Sequence, residues 1–133
     1  MDEEEFERYK YLTTVLMHMN ITPDKLGFDY LRHAVLLVFK DASYLQSITK
    51  RLYPDIAKDF GVKSRDVERC IRFAIGQAYN HGGLLEINNL YGAVVYKNDY
   101  KLTNRELIGV LADRLVMRAK RKKVGLSIKD LYC

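Results

Sequence analysis

In the stretch PDIAKDFGVKSRDVERCIRFAIGQAYNHGG, Pro54 to Gly83, the residues Ala57, Gly61 and Val67 have the spacing of two helices that cross closely around a tight turn. The first helix needs a small residue where the second crosses it, and Ala57 supplies one. Four residues later, Gly61 can take the left-handed conformation that a Cβ resists. Val62 is expected to plug inward after the turn. Val67, ten residues after Ala57, is placed to present an apolar side chain back to the first helix. The pattern predicts a helix-turn-helix.

The second helix is expected over about 64–81, with Ser64 as N-cap and Asp66 set favourably against the helix dipole. Val67, Cys70, Ile71, Ala74, Ile75 and Ala78 form one apolar stripe, and Gly82 and Gly83 end the helix. On a helical wheel Arg65, Glu68, Arg69, Arg72 and Gly76 gather on the opposite side. An arginine can donate two hydrogen bonds to guanine O6 and N7, and a glutamate can accept one from a cytosine amine, so this face carries side chains for direct readout of G·C pairs. Charged residues opposite an apolar stripe also suit a plainly solvated face, and Glu68–Arg72 has the spacing of an i,i+4 ion pair. The helix-turn-helix spacing weighs towards DNA. The same three-helix core used only for protein contacts is the other reading.

Elsewhere the period is 3.6 residues. Phe6, Tyr9, Leu12, Leu16 and Met19 mark a first helix ending near Asn20, and Thr22 is placed to cap the next one with Pro23 at its first position. Tyr30, Leu31, Ala34, Val35, Val38 and Phe39 mark a nearly buried second helix, and DASYLQSITKRLY (Asp41–Tyr53) is in helical phase. LLEINNLYG is read as one further short helix. TNRE, Thr103 to Glu106, is a capping box that opens the last helix through Leu107, Ile108, Leu111 and Leu115. Only YGAVVY (Tyr91–Tyr96) is rich in β-type residues, and it has no partner run. The fold class is therefore all-α, about six helices containing a helix-turn-helix with a long recognition helix.

A chain of 133 residues fits one domain over 1–133, with an acidic helical start at 1–10 and a basic extension at 121–133. The longest apolar run, AVLLVF (Ala34–Phe39), is far short of a membrane span. The acidic start MDEEEFERYK is unlike a signal peptide, which points to the cytoplasm. Cys70 and Cys133 read as reduced thiols, and His18, His33 and His81 are too scattered for a metal site. No acid–base or nucleophile constellation surrounds His33 and His81, so neither an enzyme nor a cofactor is expected. The net charge of +5 suits a polyanion partner, and RAKRKK (Arg118–Lys123) concentrates it.

LGFDYLRHAV, SITKRLYPDIAKDFGV, VERCIRFAI and TNRELIGVLADRL closely resemble the C-terminal effector domain of the stage-zero sporulation protein A family, from about Leu12 to Lys120. The resemblance implies a six-helix domain whose recognition helix enters the major groove at a box resembling TGTCGAA. It implies that Glu68, Arg69 and Arg72 touch base edges or nearby phosphates and that Lys120 approaches the DNA backbone. With Ser64 and Arg65 at the start of the same helix, the DNA-binding residues expected are Ser64, Arg65, Glu68, Arg69, Arg72 and Lys120. Head-to-tail binding to tandem boxes and contact with an RNA polymerase sigma factor are further implied. The alternative function is a protein-interaction module that binds a sigma factor or a full-length regulator without reading DNA.

The sequence departs from the family pattern at Asp66, where an arginine is usual, and at Phe73, where a histidine is usual. An aspartate at that place should weaken a phosphate contact. Met1 to Asn20 cannot hold a phospho-acceptor receiver domain, so the sequence is either an excised fragment or a free-standing effector. Met1 with its acidic, helix-forming start weighs towards the second, which its own phosphorylation would then not switch. The tail AKRKKVGLSIKDLYC either adds phosphate contacts or is a solvated end. SIKDLYC has the alternative of packing back through Ile128, Leu131 and Tyr132. Tyr79 faces the general side of Arg72, within reach of sugar-phosphate or of the core.

Overall fold

Asp2 starts the first helix: its carboxylate accepts the Glu5 N–H at 2.8 Å, beside the acidic turn Glu3, Glu4 and Glu5. The computed structural model describes residues 1–125. In chain order the α-helices are α1 (Glu3–His18), α2 (Leu26–Lys40), α3 (Tyr53–Phe60), α4 (Ser64–Asn80), α5 (Glu86–Tyr91) and α6 (Asn104–Lys123). Among the described residues there is no strand, so the all-α reading with six helices holds.

Helix α1 buries Leu12, Val15 and Leu16, and Met19 and Ile21 follow them into the core. Phe6, expected on that face, is exposed. Six residues at 100° each place it about 120° around the helix from Leu12, off the buried side. Asn20 ends the helix at φ +63, and the Ile21 N–H reaches back to the Leu16 carbonyl at 2.9 Å. Thr22 does not cap α2. Its hydroxyl bonds Asp24, its carbonyl accepts from the Lys25 N–H at 3.1 Å, and α2 begins only after this turn, with Lys25 at the cap.

Helix α2 is the central element, with Phe28, Tyr30, Leu31, Ala34, Val35 and Val38 all buried, and it packs most extensively on α4 and α6. Its approach to α4 is close. A Cβ on Gly27 would stand 2.4 Å from the Cys70 carbonyl oxygen and 2.8 Å from the Ala74 Cβ. The segment after α2, expected as one regular helix, is instead a 3₁₀ turn (Ala42–Gln46) followed by a π-type turn (Ile48–Leu52) that runs into α3. Asp41 explains the break: its carboxylate takes the Ser43 N–H at 3.0 Å and the Ser43 hydroxyl at 2.6 Å. Such side-chain bonds satisfy the backbone locally and compete with helix.

The crossing of α3 and α4 follows the spacing. Ala57 and Val67 are buried, and Gly61 sits at φ +67. The Val62 N–H closes the turn on the Ala57 carbonyl at 2.9 Å. The Val62 side chain, however, lies at the surface, because the turn uses its amide and leaves its side chain outside. YGAVVY forms no strand: Tyr91 ends α5, Gly92 turns at φ +66, and Asn88 clamps the loop. The Asn88 side-chain oxygen accepts from the Val95 and Tyr96 N–H groups at 2.8 and 2.9 Å, and its amide donates to the Tyr96 carbonyl at 2.8 Å. The Thr103–Glu106 capping box is formed, with bonds of 2.9 and 3.1 Å.

Candidate nucleic-acid interface

The face of α4 is set by what lies beneath it. Val67, Ile71, Ala74, Ile75 and Ala78 are buried against the rest of the core, so the opposite side must point outward. Cys70, at the edge of the stripe, is half-buried. Asn104 at the start of α6 fixes the helix from outside the stripe: its side-chain amide donates to the Glu68 carbonyl at 3.1 Å and to the Tyr53 hydroxyl at 3.0 Å.

Ser64 is not the N-cap but the first helical residue. Lys63, at φ −93 and ψ 148, holds the extended backbone of the cap, and its carbonyl receives the Asp66 and Val67 amides at 3.0 and 3.2 Å. No side chain caps this end, and Asp66 alone supplies negative charge in the first turn.

Arg65, Arg69 and Arg72 are all exposed, and Ser64 and Glu68 stand half-exposed beside them. Two of the arginines carry partners. Arg69 Nη2 donates to Asp66 at 2.9 Å and Arg72 Nε donates to Glu68 at 2.8 Å. The Glu68 hydrogen bond, with its charge behind it, holds the Arg72 proton still more firmly than usual. Arg65 has no ionic partner among the described residues. Such exposed pairs contribute little to stability, and each engages one nitrogen of its guanidinium group.

Five of the six residues expected to touch DNA therefore share one helix. Lys120 does not join them. It is exposed in the last turn of α6, 16 residues after Asn104, which at 1.5 Å per residue is about 24 Å along the axis from the contact with α4. The neighbouring Arg118 turns the other way, donating to Glu7 at 3.1 Å and lying 3.9 Å from the Tyr11 ring centroid. Tyr79 is half-buried and packs against the core.

Lys101 also reaches this face. A Cβ on Gly76 would be 3.8 Å from Lys101 Cδ and 3.9 Å from its Nζ, so the lysine stem lies across the bare outer face of α4. The sequence signal was Gly76 itself, a residue without a side chain in the middle of a charged face. Phe73 is also on this side and 61% exposed.

The histidines take other roles. His33 pairs with Asp59 at 2.8 Å and packs edge-on against Phe60, and His18 meets Glu86 at 3.3 Å. Among the described residues, no group of His, Cys, Asp and Glu could hold a metal ion, and no helix is long and apolar enough to cross a membrane. Cys133 and the SIKDLYC segment lie outside the described residues.

The family described as sporulation initiation factor Spo0A C terminal matches residues 12–115. The chain belongs to it. The matched residues run from the buried part of α1 through all of α2 to α5 and most of α6, and they include the complete recognition helix. The Spo0A C-terminal family is an all-helical, helix-turn-helix DNA-binding domain, and α3–α4 is that element here. Lys120 and the basic run beyond it lie past the end of the match.

Proposed function

We propose that this chain is a sequence-specific transcription regulator of sporulation type, acting in the cytoplasm, which inserts α4 into the major groove of a TGTCGAA-like box. The observation that carries the reading is the outward arginine face of α4, fixed over a buried stripe within a Spo0A C-terminal domain. Arg69 and Arg72 donate to guanine edges, and Glu68 accepts from a cytosine amine. Ser64 and Arg65, at the start of the helix, bind phosphate, where the helix dipole also attracts the anion. Lys120 binds phosphate further along the duplex. The whole chain acts as one effector domain, two copies bind tandem boxes head to tail, and a sigma factor is the protein partner.

Fluorescence anisotropy with a labelled TGTCGAA duplex and a scrambled duplex, over several salt concentrations, tests this reading. A preference of about tenfold or more that disappears in Arg69→Ala supports it. Equal, steeply salt-dependent binding to both duplexes overturns it. In that case the domain works through protein contacts instead.

A further inference from the structure

Phe73 is an aromatic ring where a DNA-reading helix ordinarily shows polar side chains. It is 61% exposed, and no aromatic ring among the described residues packs on it. Its place on α4 is specific. Four residues after Arg69, it stands about 40° around the helix and about 6 Å further along the axis. Arg72 lies about 60° from Arg69 on the other side, so Arg69 is flanked by a cation and by a ring on the same outward face. The 6 Å step covers between one and two base pairs at 3.4 Å each.

In the major groove the one apolar group on a base edge is the thymine 5-methyl, and phenylalanine is among the side chains that meet it. We infer that Phe73 is a specificity-determining residue that reads a thymine methyl one or two base pairs from the guanine bound by Arg69. The inference rests on the reading of α4 as a major-groove helix. It gives the helix a base preference that its arginines and Glu68 do not supply, since those side chains address G·C pairs.

The test uses the full chain and TGTCGAA duplexes in which each thymine of both strands is replaced in turn by deoxyuridine. The two bases differ only by the methyl. The expected result is that replacement at one or two thymines weakens wild-type binding about fourfold, which is ~0.8 kcal/mol for one buried methyl. Phe73→Ala, at an exposed site, should bind the thymine and deoxyuridine duplexes equally while still preferring the box to scrambled DNA. Wild-type binding that prefers the box but ignores every methyl overturns the inference and leaves the proposed function standing. A methyl effect that survives in Phe73→Ala overturns it too. Absence of any preference for the box removes both readings together.

Discussion

The Asp66 carboxylate accepts a hydrogen bond from Arg69 at 2.9 Å, one turn along the helix that bears the arginine face. The pair has two opposed consequences. Asp66 lies in the first turn of α4, where negative charge stabilises the helix by roughly 0.3–1 kcal/mol. It also places an anion where a DNA phosphate would approach and engages the arginine proposed to read guanine.

Asp66→Ala should therefore move stability and DNA affinity in opposite directions. Urea denaturation is expected to show a loss of about 0.5 kcal/mol. Affinity for the TGTCGAA duplex is expected to rise by about threefold or more, as one repelling charge leaves and Arg69 is released. A fall in both quantities would confine Asp66 to stabilising the helix.

Arg65 and Arg69 should separate grip from readout. Arg65 is exposed at the helix start, and Arg65→Ala should reduce the log–log salt slope by about 0.9 while keeping the preference for the box. Arg69→Ala should instead reduce the preference by about tenfold or more, since a bidentate guanine contact discriminates by ~1–3 kcal/mol. Anisotropy titrations of both variants at several salt concentrations check the split. Identical effects on slope and preference would mean that neither arginine reads a base.

The parts of this architecture that were legible in the sequence are those governed by local rules. Ala57, Gly61 and Val67 located the helix crossing, and Thr103 with Glu106 located the start of α6, because each motif is satisfied within a few residues. Where two local rules compete, the sequence was less informative. Apolar phase suggested a regular helix over Asp41–Tyr53, but the short bonds of Asp41 to Ser43 break it. Residue type favours Ser64 as N-cap, yet Lys63 holds the cap backbone. Long-range features were not legible. Lys101 meets Gly76 only because the loop before α6 folds back on α4, and Lys120 stands 16 residues along α6 from the Asn104 contact with α4.

Two glycines should respond to alanine with opposite signs. At Gly27 the added Cβ would meet the Cys70 carbonyl oxygen at 2.4 Å, a backbone atom in a packed helix that cannot turn aside. Gly27→Ala should cost about 1–3 kcal/mol as α2 and α4 are forced apart. At Gly76 the nearest atoms belong to the flexible Lys101 side chain at 3.8 Å, an ordinary contact. Gly76→Ala should stabilise the protein by about 0.5–1 kcal/mol through helix propensity. Denaturant midpoints at constant slope measure both.

Asn104 couples the last helix to the recognition helix across 36 residues, donating to the Glu68 carbonyl at 3.1 Å, and it also satisfies the Tyr53 hydroxyl at 3.0 Å. Tyr53 is 7% exposed, so its hydroxyl has little access to water. Asn104→Leu keeps a side chain of similar size and removes both donors. The expected loss is about 1–2 kcal/mol, since a buried polar group left without its partner costs more than an average hydrogen bond contributes. Tyr53→Phe in the same background should recover part of that loss by removing the stranded hydroxyl, and a double-mutant cycle reads the coupling directly. If Asn104 only secures the position of α4, the variant should keep its preference for the box under conditions where it is fully folded. Loss of that preference in the folded variant would show that the setting of α4, and not only the identity of its arginines, determines what it reads.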